Sequence, residues 1–272
     1  MLRILTLHIA LFLGLFSLQA QSWEIGLMGG GSNYHGDLAY NIVPAETKVS
    51  GGAFFKYNLN EYWSVRPTIS YLQFAGSDAN FKENNLRNLS FRNTVYELGG
   101  MFEFNFQPFS IKSIHKNTTF YAMAGIAAFK HKPEALYKDE WHDLHAIKTE
   151  SERYKLIQIN VPFGVGVKHS LSKNFVLGLE TGWRKTFTDY LDDVSGVYPN
   201  LVDLEASHGA LAAELSDRSR EVSETRLPLS SPGDMRGDPN LKDWYFQTAL
   251  SISYRFTPVQ CPYNRIHFFD QR

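Results

Sequence analysis

From Gln21 onward, apolar and polar positions alternate along most of the chain. Trp23, Ile25 and Leu27 share one face, and Glu24 and Gly26 the other. Val49 to Tyr57 places Val49, Gly51, Ala53, Phe55 and Tyr57 against Ser50, Gly52, Phe54 and Lys56. The same period recurs over Trp63–Tyr71, Tyr96–Phe106, residues 119–131, Ile157–Lys168, Phe175–Thr186 and Trp244–Phe256. In the fifth segment the apolar face is read as carrying Tyr121, Met123 and Phe129. A period of two over such lengths is strand behaviour. Most of these eight strands run to about ten residues or more. Globular strands average about five or six, whereas a tilted membrane-spanning strand needs about nine to eleven.

The polar face carries Lys56, Arg66, Glu97, Glu103, Lys168, Glu180, Arg184 and Arg255. A soluble sandwich would wet these charges, and a barrel in lipid would pair them inside a narrow lumen. Three features select the barrel. The connections alternate, with short links after the second and sixth strands and an intermediate one after the fourth. Long links (33–47, 75–90, 132–155 and 189–241) follow the odd strands, as short periplasmic turns and long outer loops require. Trp23, Tyr57, Trp63, Tyr71, Tyr96, Trp183, Trp244 and Tyr254 sit at strand ends, where interfacial girdles place them. The strand count is even. The predicted fold is all-β: an eight-stranded up-and-down transmembrane β-barrel with long extracellular loops. A barrel of this size fills its lumen with side chains, which excludes a wide pore.

The N-terminus fits export. Met1–Arg3 is a short basic start, Ile4–Phe16 is an apolar run, and Leu18-Gln19-Ala20 precedes a cut at Gln21. Residues 1–20 are read as a signal peptide, too short to span as a helix. Gln21 in place of Cys argues against lipid attachment there. Residues 21–256 form the barrel, with the fourth outer loop at 189–241, and residues 257–272 form a periplasmic tail. A mean hydropathy of -0.28 suits a barrel whose outward apolar residues alternate with polar ones. With 27 Lys and Arg against 28 Asp and Glu, the chain lacks the basic excess of a nucleic-acid binder. The single Cys261 rules out an intrachain disulfide framework.

Several clusters are candidates for chemistry. His142-x-x-His145 could share a helical face and bind a metal, but it lacks a third ligand at a diagnostic spacing. A solvated polar loop accounts for it more simply. Asp189, Asp192 and Asp193 could bind calcium, yet they lack the EF-hand order. The favoured reading is that they cap strand seven and order the fourth outer loop. His35 with Asp37, His131 and His169-Ser170 are the only starting points for an enzyme, and none has a clear nucleophile partner. Arg236-Gly237-Asp238 is an adhesion-like tripeptide that reads first as a turn. Leu201–Glu214 is a short helix over the barrel mouth. In the tail, Cys261, Tyr263, Arg265, Phe268 and Phe269 either dock a partner or pack under the barrel. The lumen charges Arg66, Glu97, Glu103, Lys168, Glu180, Arg184 and Arg255 have a structural role. No catalytic residue, cofactor or metal is assigned.

Several stretches resemble one family of outer-membrane barrels. They are Gly29–Leu38, Pro162–Lys168, Gly182–Ser195 (with its core Thr188-Asp189-Tyr190-Leu191-Asp192-Asp193-Val194-Ser195), Arg236–Pro239, Asp243–Tyr245 and Tyr254–Phe256. The chain is similar to the PorG-type barrels, the small outer-membrane component of the type IX (Por) secretion system. The resemblance implies a non-enzymatic protein in outer-membrane lipid that contacts the periplasmic ring of PorK-like and PorN-like proteins.

Overall fold

The structure is a computed structural model and describes residues 22–110 and 117–256. The signal peptide expected at 1–20 and the tail expected at 257–272, with Cys261, Tyr263, Arg265, Phe268 and Phe269, lie outside the described residues. Eight long strands build the barrel: β1 (Ser22–His35), β2 (Lys48–Asn58), β3 (Trp63–Ser77), β4 (Ser90–Asn105), β5 (Thr118–Tyr137), β7 (Ile157–Ser170), β8 (Phe175–Thr186) and β9 (Trp244–Phe256). A short β6 (Glu140–Asp143) pairs only with the far end of β5. Each barrel strand runs antiparallel to its sequence neighbour, β1 pairs with β9, and β4 pairs with β5, so the sheet closes on itself. Closure leaves no unpaired edge, which a sheet in hydrocarbon requires.

The polarity of the barrel is inverted relative to a soluble protein. Ile25, Leu27, Leu98, Phe102, Phe120, Ile126, Ile159 and Leu250 are exposed on the outside, while Glu24, Lys56, Arg66, Glu103 and Glu180 are buried within. From Tyr96 to Phe106 the outward face is apolar over ten residue steps. At about 3.4 Å per residue and a tilt of about 40°, that is about 26 Å, the height of the apolar band of a membrane barrel. Aromatic contacts mark both rims. Trp23 stacks on Phe55, Trp63 packs on Phe104 and Phe175 on Tyr254 at the short-turn end; Tyr71 meets Tyr96 and Phe163 meets Trp183 towards the other. The turns at 59–62 and 171–174 are tight, closed by Leu59 N–H to Trp63 O and Leu171 N–H to Phe175 O, both 2.9 Å.

Three local expectations are corrected. Tyr121, Met123 and Phe129 point into the barrel, and Phe120, Ala122, Ala124, Ile126 and Ala128 lie on the outside of β5. The phase is set by Tyr121, whose hydroxyl donates to Glu180 at 2.6 Å inside the lumen. The segment 132–155 is not simply a solvated loop. Period two continues through Pro133 and Ala135, both inward, so β5 extends to Tyr137 and turns back through β6. Arg92 fastens this extension, pairing with Glu134 at 2.9 Å and lying 3.6 Å from the centre of the Trp141 ring. A short helix α1 (Leu144–Ile147) follows. Lastly, the helix expected over 201–214 is two helices, α2 (Leu201–His208) and α3 (Ala210–Ser216). Gly209 at φ 91° breaks it, in the left-handed half of backbone space that glycine occupies without strain.

Candidate functional site

The barrel interior is filled in layers. At the short-turn end, Glu24 accepts from Arg255 (2.6 Å) and Asn58 (2.9 Å), and Asn58 accepts from Ser64 at 2.8 Å. The link after β4 tucks the Phe109 ring underneath, 5.0 Å from the Lys168 ammonium and 4.9 Å from the Arg255 guanidinium. In the next layer Glu103 is the hub. It pairs with Lys56 at 2.9 Å, with Lys168 at hydrogen-bonding distance, and with Arg66 at 3.9 Å. Arg66 makes a two-pronged pair with Glu180 (2.7 and 3.1 Å), and its Nη2 also approaches Met123 Sδ at 3.0 Å. One layer higher, Glu97 accepts from Tyr245 (2.6 Å), Asn160 (2.8 Å) and Arg184 (3.5 Å), and Arg184 also reaches Gln247 at 2.9 Å. All seven lumen charges singled out in the sequence, with Lys56 and Glu24, therefore lie in paired networks. Charges so removed from water persist only when paired and hydrogen-bonded.

Above the charges the lumen becomes apolar. Leu72, Phe74, Phe91, Val95, Phe129 and Leu191 form a buried core with Tyr34 and Tyr245. Inward Phe54 and Phe74 show that the aromatics are not confined to the lipid face and the girdles. This core has no period of its own, because its residues share the strand face with the charges.

The long loops close over this core as an ordered cap. Tyr34 at the end of β1 sends its hydroxyl to Asp192 Oδ2 (2.6 Å) and Asp243 Oδ1 (2.7 Å). Asp243 also accepts Leu191 N–H, and Asp192 accepts Val194 N–H. Asp189 accepts from Ser195 Oγ at 2.6 Å, and Asp193 from Tyr154 at 2.6 Å and from Thr149. Gly36 is required here, since a Cβ at this position would overlap the Tyr34 hydroxyl and the Asp243 carboxylate. Asp189 and Asp192 thus accept donors of the fourth outer loop itself, Ser195 and Val194, while Asp192 and Asp193 also accept from Tyr34, Thr149 and Tyr154 on other segments. Among the described residues, no group of His, Cys, Asp and Glu has the spacing of a metal site. His142 lies on β6 and His145 on α1, where its Nε2 meets Tyr154 O at 3.0 Å, so the two share no helical face.

Arg236 is the cap's central cation. It is buried, donates to Glu150 Oε1 (2.7 Å), Asp193 O (2.6 Å) and Ser216 O (3.1 Å), and ties three loop segments together. It is therefore not displayed as part of an adhesive tripeptide. Asp238 begins a turn closed by Leu241 N–H to Asp238 O at 3.0 Å. Sequence reasoning missed Arg236, Glu150, Asp243 and Tyr34 as a group, because their partners are up to 209 residues apart. His131 is buried, with Nδ1 beside Asn93 and Nε2 beside Lys155 O, and His169 Nδ1 lies 2.7 Å from Thr118 Oγ1. Neither is joined to a nucleophile and an acid in the described contacts.

The cap is short of counter-charge. Burial pushes Asp37, Asp189 and Asp193 up to about 6. Burial, and then neighbouring carboxylates (Asp243 and Asp37 beside Asp192, Asp189 and Asp37 beside Asp243), drives both well above the carboxylate range. Tyr34 has one proton for two carboxylates, so a proton on one of the pair completes the network. The folded cap holds protons that an unfolded chain would release near the ordinary value of about 3.9. Its stability is therefore full below that value and declines as pH rises through about 6 and beyond. Protease cleavage within 189–241 is expected to be faster at pH 8 than at pH 5. Asp192→Asn should reduce the difference, because an amide can donate to the Tyr34 oxygen. Cleavage that slows as pH rises would contradict this.

A comparison with curated proteins gives no match. Among solved structures, the chain is similar to Ail, the attachment invasion locus protein of Yersinia pestis, at 13% identity and a TM-score of 0.41, covering 88% of this chain and 100% of that one. It is similar to Neisserial surface protein A at 9% identity and a TM-score of 0.44, over 88% and 100% of the two chains. It is similar to OprG from Pseudomonas aeruginosa at 7% identity and a TM-score of 0.41, over 87% and 97%. Likenesses of this degree carry no inference about activity. A family model described as a domain of unknown function (DUF6089) matches residues 3–210, more than half of the 272 residues, and the chain belongs to that family.

Proposed function

We propose that this protein is a non-enzymatic anchor in the outer membrane, a component of the type IX protein secretion machinery that docks the periplasmic ring built by PorK-like and PorN-like proteins. One observation carries the reading that it acts by binding: the lumen is filled from Phe109 through the Glu103 and Glu97 networks to the aromatic core. A filled barrel offers no conduit, so its work is done at its surfaces. The choice of partner rests on the resemblance of Gly182–Ser195, Arg236–Pro239 and the other stretches to the PorG-type barrels. The short-turn end, with 59–62, 171–174 and the chain leaving β9, faces the periplasm in a barrel of this design.

The test is purification of the tagged protein from native envelopes in mild detergent. Ring proteins are expected to co-purify from wild type. They should be lost when Thr257–Arg272 is deleted or the 171–174 turn is replaced, with the barrel still inserted. Co-purification that survives every such change refutes periplasmic docking.

A second reading has its own observation. The cap holds Val202, Leu227, Leu229 and Met235 exposed above an ordered frame, as an outer-surface binding protein would. Deleting the 132–155 and 189–241 loops would then abolish function and spare assembly of the barrel.

A further inference from the structure

The lipid-facing wall is not uniform. Beneath the outer rim, across β1, β9 and β8, a furrow of about 550 Å³ is lined by Thr181, Trp183, Leu241, Trp244, Phe246 and Thr248, with Tyr40 and Ile42 of the first outer loop alongside. Its volume is in the range of ligand pockets. A shallower depression lined by Leu27, Gly29, Leu177, Leu250 and Ile252 lies further along the same strands towards the short-turn end. The register makes the two successive stretches of one channel. Thr181 pairs with Thr248, and the next outward pair along β8 and β9 is Leu179 with Leu250. The Thr181 and Thr248 hydroxyls meet at 3.1 Å, which satisfies these small side chains without a partner from outside.

A charge stands at the outer end. Lys185 lies two residues beyond Trp183 on β8 and opposite Trp244 on β9, with its ammonium 5.6 Å from the centre of the Trp244 ring. It is exposed and has no ion-pair partner among the described residues. Trp at this level marks the membrane interface, so the ammonium lies at headgroup depth, with its aliphatic stem along apolar surface.

We propose that this furrow holds one anionic phospholipid of the outer leaflet, with an acyl chain lying over Thr181 and Thr248 and its phosphate on Lys185. The occupant is a lipid because the furrow is continuous with the apolar band that already faces hydrocarbon. The unpaired cation at its mouth selects for an anionic head. A single lysine near a membrane surface is worth about a five-fold preference.

The experiment uses the full chain reconstituted in vesicles, with Trp23, Trp63 and Trp141 changed to Phe, leaving Trp183 and Trp244 as reporters. Phosphatidylglycerol or phosphatidylcholine with brominated chains quenches their emission on contact. The phosphatidylglycerol is expected to quench at about one-fifth the mole fraction needed for phosphatidylcholine. Lys185→Gln should equalise the two lipids, and Thr248→Phe should reduce quenching by both. Migration of unheated samples as the compact form on gels verifies folding. Equal quenching by both lipids in the Lys185 protein, a preference that persists in Lys185→Gln, or a dimer that occludes the furrow would each overturn the proposal.

Discussion

Glu103→Gln is expected to destabilise the barrel by about 3–5 kcal/mol, the cost of removing one member of a buried ionic group. Glu103 is fully buried and is the common partner of Lys56, Lys168 and Arg66. The buried cations Lys56, Arg66, Lys168, Arg184 and Arg255 already outnumber the buried lumen carboxylates Glu24, Glu97, Glu103 and Glu180. Neutralising the hub leaves two ammonium groups facing each other in a closed space. The Gln side chain keeps the volume, so the loss is electrostatic rather than a cavity. Urea titration in detergent, read as loss of the compact unheated band, measures it. Adding Lys168→Met to Glu103→Gln should restore part of the loss, because one stranded cation is gone. A change below about 1 kcal/mol would place Glu103 among weak surface-type pairs.

Arg236→Ala is expected to act on the cap and leave the barrel wall alone. Its loss strands the Glu150 carboxylate, which otherwise receives Arg236 together with Ser195 N–H (3.0 Å) and Gly196 N–H (3.2 Å). It also frees the carbonyls of Asp193 and Ser216. The local free energy of opening should fall by about 3–5 kcal/mol. Hydrogen exchange should accelerate in residues 144–155 and 189–200, while β3, β4 and β7 keep their protection. Unchanged exchange in those loops would show that Arg236 does not hold them. Faster exchange throughout would show that cap and wall open as one unit.

The wall was legible in the sequence because alternation is a local property. Which residues face lipid can be read from Trp63-x-Val65-x-Pro67-x-Ile69 without knowing any partner. In the strand where this failed, β5, the outward positions from Phe120 to Ala128 are three Ala with Phe120 and Ile126, while the larger Tyr121, Met123 and Phe129 fill the lumen. Side-chain size therefore misassigned the face, and the deciding contact, Tyr121 to Glu180, spans 59 residues. The cap was legible only in part. The Asp189, Asp192 and Asp193 cluster announced an ordered loop, because short carboxylates accept neighbouring N–H groups. That Tyr34, Glu150 and Arg236 complete it depends on the barrel bringing four loops to one rim, and no spacing rule encodes this. The furrow in the wall was likewise silent, since it arises where Thr181 and Thr248 fall side by side in the register.

The role proposed for this barrel is that of a solid membrane anchor working through its periplasmic end. Site-specific photo-crosslinking in living cells tests that most directly, with the reactive residue placed at Tyr62 or Lys173 in the short turns and at Val202 or Leu227 in the cap. Crosslinks from Tyr62 and Lys173 to periplasmic ring proteins, with none from Val202 or Leu227, are the predicted result. Crosslinks to an external partner from the cap alone, with the turns silent, would contradict it.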